Sequence, residues 1–375
     1  MADVLIYSGN MHGPELRHEV PVPAPDPFLY VEKNGTKHVV ITSFEVDRMK
    51  EAGVEAHPLE AFGWDELVGK GPREEQLLKL LVQAVEGLDV KDAIVPHTFP
   101  LELADVLREN GVQITPDRAF FDKRRRVKNE TEIAGIRKAQ RGAEAAMDAA
   151  RDLFRRAQPS NGQLTVDGET LTCELVKTRI TDVFNAHGLV TDEMIVAHGP
   201  QTALGHDFGS GPIAAGEPIV LDLFPRDRES GCYADMTRTF CIGEPPEKLV
   251  EYHRLVKAAL DRSLEDVKAG AAGSAVFERV CDVFHEAGYP TQLSKQEGEV
   301  LDRGFYHGLG HGVGLEVHEP PWLSRDPGTV ETGDVITLEP GLYDPDFGGC
   351  RLEDLVLVTD DGNENLTQYP YDLTP

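Results

Sequence analysis

Basic residues are scarce in this chain: 37 lysines and arginines stand against 65 aspartates and glutamates, a formal net charge of −28. So acidic a balance repels phosphate backbones and anionic bilayers, and neither nucleic acid nor a membrane is expected as a partner. No run of 18 apolar residues occurs, so no spanning helix is expected. The opening Met1-Ala2-Asp3-Val4-Leu5-Ile6-Tyr7 lacks the charged segment, apolar stretch and small-residue cleavage site of a secretory leader. Cysteine is sparse. Its five residues, Cys173, Cys232, Cys241, Cys281 and Cys350, are odd in number and form no Cys-X-X-Cys pair. They read as reduced thiols of a cytoplasmic protein, not as a disulfide frame or a zinc cluster. A glycine-rich phosphate loop is also missing, since Gly69-Lys70-Gly71 alone does not make one.

What the chain does have is charge in places that should be apolar. Asp222 interrupts Ile219-Val220-Leu221-Asp222-Leu223-Phe224, and Glu339 ends Val335-Ile336-Thr337-Leu338. Both stretches read as buried strands, where a carboxylate must be paired, protonated or bound to a metal. Asp235 follows Asp222 after a turn-rich segment, and Glu353 follows Glu339 after another, so two hairpins each bring two carboxylates to one place. Four carboxylates together with a histidine, His311, are too much negative charge for protons to neutralise, and they make a suitable ligand set for two divalent cations.

Between the hairpins lies Phe305-Tyr306-His307-Gly308-Leu309-Gly310-His311-Gly312-Val313-Gly314-Leu315-Glu316-Val317-His318. Glycine at alternate positions disfavours a helix and suits backbone that approaches another chain segment closely. In extended geometry His307 and His311 share a face, whereas His318 is an odd step away and needs a bend to join them. Arg351 shares a face with Glu353 and is expected to tether carboxylates. For His198 a structural and a functional role both stay open.

At 375 residues the chain suits two domains. Strand and helix signals alternate over residues 1–122. Val4–Tyr7, Phe28–Lys33 and Lys37–Thr42 about an Asn34-Gly35 turn read as strands, as do Ala93–Val95 and Val112–Thr115. Glu75–Glu86 and Leu101–Asn110 read as helices. The basic run Lys123-Arg124-Arg125-Arg126 reads as part of a linker over 123–129. A second domain, 130–375, opens at a capping box of Asn129 and Glu132 ahead of a long apolar stripe. Helices over Thr170–His187, Glu247–Lys268 and Ser274–Ala287 complete a repeat: two helices and a carboxylate hairpin, twice. Such a duplication places the cluster in a cleft between half-domains.

The segments Asp222 to Phe240, His307 to His311 with His318-Glu319, Leu338-Glu339-Pro340-Gly341 and Arg351-Leu352-Glu353-Asp354 resemble the pita-bread metallopeptidases, in particular their Xaa-Pro aminopeptidase (aminopeptidase P) and prolidase branch. The likeness runs from about residue 125 to the end of the chain. It implies an α+β protein with a duplicated C-terminal pita-bread fold behind a smaller α/β domain. It implies hydrolysis of the bond between an N-terminal residue and proline by a hydroxide shared between two cations, with manganese first and cobalt, zinc or iron as alternatives. Asp222 would chelate one cation, His311 and Glu339 the other, and Asp235 and Glu353 would bridge. His206 would lie near the scissile amide, His318 would steady the carbonyl oxygen, and His307 would face the proline side. A homodimer is expected on the same ground. The segment 225–233 is longer than in that family. Three alternatives stay open: a prolidase confined to Xaa-Pro dipeptides, a methionine aminopeptidase, and a metal-free binding protein or amidinohydrolase of the same fold.

Overall fold

In the computed structural model the described residues are 2–9, 13–160, 163–326 and 328–375. They divide into two compact units, Met1–Arg125 and Arg126–Pro375. Among the described residues, no helix is long and apolar enough to cross a membrane.

The first unit is built on one six-stranded mixed sheet. In spatial order its strands are Glu55–Pro58, Thr36–Ile41, Pro27–Lys33, Asp3–Gly9, Asp92–Val95 and Gln113–Pro116. The period of two decides its layering. Leu5, Leu29, Val31 and Val40 pack with Leu81, Val85, Leu103 and Leu107 from helices Arg73–Gly87 and Leu101–Glu109 on one face. Val4, Ile6, Phe28, Tyr30, Val39 and Ile41 pack with Leu16, Met49 and Phe121 on the other. The turn between Pro27–Lys33 and Thr36–Ile41 carries Asn34 at φ 51° and Gly35 at φ 81°, the left-handed pair that a two-residue hairpin loop requires.

The basic run is helical, and the division between the two units, at 125/126, falls within the stretch 123–129. Lys123 to Arg126 form the last turn of helix Arg118–Arg126, anchored by buried Phe121. Arg124 donates to Glu19 Oε1 and Glu32 Oε2, both at 2.6 Å, and Arg125 pairs with Glu15 at 3.1 Å with both side chains buried. Arg126 grips both oxygens of Asp334, at 2.9 and 2.6 Å. Consecutive arginines are tolerated in this helix because each has its own carboxylate, while Lys123 is exposed.

The second unit repeats one plan. The helix Glu130–Arg156, opened by the capping box of Asn129 and Glu132, packs against Cys173–Ala186 and precedes a sheet of Ile195–His198, Ile219–Leu223 and Met236–Phe240. The helices Glu247–Asp266 and Gly273–Glu286 pack together and precede a sheet ordered Glu319–Leu323, Gly310–Gly312, Val335–Leu338, Asp354–Val358 and Asn363–Asn365. Two buried apolar cores result, one centred on each half, with Val313, Val335 and Leu355 of the second half joining the first.

The halves are joined where Met236–Phe240 meets residues 351–354. Glu353 N donates to Thr237 O at 3.0 Å, and Thr239 Oγ1 donates to Arg351 O at 2.8 Å. Arg238, 1 % exposed, donates to the carbonyls of Glu353, Tyr369 and Pro370 and to Asp354 Oδ1. A buried guanidinium with this many acceptors is satisfied in its charge and in its geometry.

Candidate metal centre

Both carboxylate hairpins form. Asp222 lies on Ile219–Leu223, whose antiparallel partner Met236–Phe240 begins one residue after Asp235. Val335–Leu338 pairs with Asp354–Val358, which places Glu339 and Glu353 just beyond the last rung, Leu338 opposite Asp354. The segment between them is itself paired, Gly341–Asp344 against Gly348–Arg351, so the second hairpin is nested where a single loop was expected.

His311 enters on the short strand Gly310–Gly312, wedged between Glu319–Leu323 and Val335–Leu338. Glycine is required on either side of it. A Cβ at Gly310 would meet Thr337 O at 2.0 Å, and one at Gly312 would meet Pro320 O at 2.4 Å. A register shift follows at His311/Gly312, and the chain then bends so that the rings of His311 and His318 stand 4.3 Å apart. His307 is not on the strand. It lies against Phe305, Tyr306 and Tyr343.

All nine residues singled out from the sequence line one cavity of about 660 Å³: His206, Asp222, Asp235, His307, His311, His318, Glu339, Arg351 and Glu353. Phe208, Tyr306 and Trp322 add aromatic wall. His198 lies elsewhere, its Nδ1 at 2.8 Å from Glu217 Oε2 and its Nε2 at 3.3 Å from Ser210 O. The segment 225–233 is packed down: Arg226–Asp227 pairs with Leu189–Val190, and buried Asp227 accepts from Ser230 and pairs with Lys138 at 2.6 Å.

The atoms at the bottom of the cavity suit cations. Asp235, His311 and Glu353 are buried and bring one donor atom each to within 4.8 Å of one another. His311 Nε2 lies 3.8 Å from Asp235 Oδ2 and 3.6 Å from Glu339 Oε1, too far to hydrogen bond and about the span of two ligand bonds. His311 Nδ1 is 3.1 Å from Gly312 O, which can only accept, so Nδ1 carries the proton and Nε2 presents its lone pair. Burial, with the His318 ring beside it, lowers the His311 pKa to about 3 and keeps the ring neutral. Asp222 Oδ1 and Asp235 Oδ1 are buried without a hydrogen-bond partner.

Without cations the carboxylates cannot all stay charged. Burial first, then Glu353, Asp222 and Glu339, raise the Asp235 pKa well above its usual range. Burial first, then Glu339 and Asp222, do the same to Glu353, and burial with Asp222 lifts Glu339 to about 8 against the opposing pull of Arg351. Residues that compete for protons in this way are ready to exchange them for a dication.

Two neighbours escaped the sequence reading. Thr237 Oγ1 donates to Glu353 Oε2 at 2.7 Å, and Tyr343 Oη lies 2.8 Å from His307 Nε2 and 3.1 Å from Arg351 Nη1. Thr237, on the strand Met236–Phe240, is two residues after Asp235, a parity signal that could have found it. Arg351 also donates to Asp222 Oδ2 at 2.7 Å.

A duplicated helix-and-sheet unit with acid-lined hairpins around one cavity defines the pita-bread class. The chain belongs to metallopeptidase family M24, whose sequence pattern it matches over residues 134–360. It is 37% identical over 178 residues to an Xaa-Pro dipeptidase of Pyrococcus furiosus, an alignment covering 47% of this chain and 47% of that protein, so it spans about half the length of that relative. The fold superposes on the prolidase of Pyrococcus horikoshii OT3 with a TM-score of 0.77 and 26% identity, covering 100% of this chain and 95% of that one. For the X-Pro aminopeptidase of Thermotoga maritima MSB8 the TM-score is 0.80 at 23% identity, with 99% and 97% covered.

Proposed function

We propose that this chain hydrolyses the peptide bond between an N-terminal residue and a following proline, with Asp222, Asp235, His311, Glu339 and Glu353 holding two divalent cations, manganese first. The observation that carries the reading is the convergence of four carboxylates and one neutral imidazole in a single cavity, with two buried carboxylate oxygens lacking any other partner. Cations bound there would supply Lewis acidity and bring a water toward its ionised form near neutral pH.

The remaining residues orient and bind. His206 and His318, exposed at the cavity wall, can each offer an N–H to a substrate carbonyl oxygen. Partial desolvation inside the cavity and the ring of His206 lower the His318 pKa, which favours the neutral form. His307 has no spare donor. Its Nδ1 must donate to Gly308 O at 2.7 Å, so its Nε2 accepts from Tyr343 Oη, which in turn accepts from Arg351 Nη1. The ring is thereby fixed as an apolar face, and with Tyr306 it is suited to a proline ring. Arg351 orients Asp222.

A second reading, hydrolysis of Xaa-Pro dipeptides only, is favoured by the name of the Pyrococcus furiosus relative at 37% identity. The test is to compare kcat/KM for an Xaa-Pro dipeptide with that for an Xaa-Pro-Xaa tripeptide and for Met-Ala-Ser in manganese-reconstituted enzyme. Cleavage of both proline peptides fits the first reading, cleavage of the dipeptide alone the second, and preference for Met-Ala-Ser overturns both. Full activity after exhaustive chelation would remove the cations from the reaction.

A further inference from the structure

The first unit carries a second convergence of ligand-type side chains, remote in sequence from the carboxylate cluster. His38 stands on Thr36–Ile41, and Glu55 and His57 on the parallel edge strand Glu55–Pro58, with His38 opposite Glu55 in register. Residues two apart on a strand share a face, so all three side chains rise from one side of the sheet edge. His38 Nδ1 lies 3.3 Å from His57 Nε2 and 3.3 Å from Glu55 Oε2, and the three donor atoms all fall within 4.8 Å of one another.

The two 3.3 Å separations about His38 fit a tetrahedral ion. Bonds of about 2.0–2.1 Å at a tetrahedral angle put ligand atoms roughly 3.3–3.4 Å apart. A hydrogen-bonded trio fits less well, because a single N–H on His38 Nδ1 cannot be directed at both a nitrogen and a carboxylate oxygen, and 3.3 Å is long for either bond. His57 is seated edge-on against Phe62, with ring centroids 5.9 Å apart, and its ring stacks on His38 at 5.5 Å, so the imidazoles are oriented by packing. Burial and the neighbouring His38 lower the His57 pKa, which favours the neutral, ligating ring.

We propose that His38, Glu55 and His57 form a separate site for a borderline divalent cation of the zinc type, clipping the edge strand Glu55–Pro58 to its neighbour. Two imidazoles and one carboxylate favour zinc, copper, nickel or cobalt over magnesium and manganese. Three protein ligands leave a fourth position for water. This site shares no residue with the proposed peptidase centre, and neither reading depends on the other.

The test is zinc content and cobalt spectroscopy on the full chain. Wild type, Glu55→Ala, His57→Gln and Glu353→Gln are stripped with chelator, dialysed against zinc and assayed by plasma emission. Glu55→Ala and His57→Gln are each expected to hold about one equivalent less than wild type, with kcat and KM on a proline peptide unchanged. Under cobalt(II), the intense absorption of a four-coordinate ion should remain in Glu353→Gln and disappear in His57→Gln. Glu55 is exposed, so its variant answers the question even where His57→Gln does not fold. Zinc content equal to wild type in Glu55→Ala and in whichever His57 variant folds would overturn the proposal, as would a four-coordinate cobalt spectrum in Glu55→Ala identical to wild type.

Discussion

Arg351 Nη2 donates to Asp222 Oδ2 at 2.7 Å, and the same guanidinium donates to Tyr343 Oη at 3.1 Å. One side chain therefore fixes a carboxylate of the first hairpin and, through Tyr343, the ring of His307. The planar fork of arginine makes both bonds at once, which the single ammonium of lysine cannot do in the same geometry.

Arg351→Lys keeps the charge and removes the fork. Activity at saturating metal is expected to fall about tenfold to a hundredfold, the range for residues that orient metal ligands. Steady-state kinetics alongside a metal titration check this. Unaltered kcat and KM would show that Asp222 and His307 hold their places without Arg351.

Gly310→Ala tests why the histidine-bearing strand is rich in glycine. The new Cβ would meet backbone, Thr337 O at 2.0 Å and Thr337 C at 2.8 Å, so strands must separate. Overpacking of this kind costs about 1–3 kcal/mol. His311 N would also lose its bond to Thr337 Oγ1, now 3.1 Å. Gly308→Ala is the control, since its Cβ would come no closer than 3.4 Å to Leu323 O and Ser324 Cβ. Urea unfolding should show a clear loss for Gly310→Ala and a smaller one for Gly308→Ala, and equal midpoints would refute the close-approach argument.

The ligand-type residues were legible because buried charge is improbable: Asp222 and Glu339 sit in apolar runs that become the buried strands Ile219–Leu223 and Val335–Leu338. The duplication was legible for the same reason, as each half carries its own periodic helices and hairpin. Long-range pairing was not. Arg124 and Arg125 find Glu19, Glu32 and Glu15 between 92 and 110 residues away in sequence, so nothing local distinguishes their helix from a basic linker. The strands Glu55–Pro58 and Ile195–His198 are four residues long, too short for a periodic signal, and the first is also polar. Tyr343 sits just before the stretch 344–349 read as a turn, on a paired inner hairpin that the sequence did not announce.

Stability of the metal-free protein should fall as pH rises above about 6.5. Glu339 is raised from 4.5 to about 8, chiefly by burial, and Asp235 and Glu353 are raised in the same direction. A carboxyl whose folded pKa exceeds its unfolded one releases a proton on unfolding, so stability is lost between the unfolded and folded values. His307 and His311 run the other way. Burial lowers both from 6.5 to about 3, and their gain in stability with pH is complete near 6.5. Between about pH 6.5 and 8 the carboxylates decide. Thermal midpoints of chelated protein should drop across that window, and added manganese should restore them. A flat or rising profile would mean that the cluster is already ionised in the metal-free fold.

Under the proposed function the histidines are expected to separate metal holding from substrate handling. His311 faces Asp235 and Glu339 with an unprotonated Nε2, whereas His206 and His318 stand at the exposed wall of the cavity. His311→Ala should therefore lose metal and activity together. His318→Ala and His206→Ala should keep their metal and lose turnover, because an interaction realised mainly in the transition state lowers kcat more than it alters KM. A fall of about a hundredfold in kcat is expected for each. Metal content and kinetics measured side by side on the three variants distinguish the roles. If His318→Ala loses metal as readily as His311→Ala, the 4.3 Å approach of the two rings marks a shared ligand pair, and the proposed set of five is incomplete.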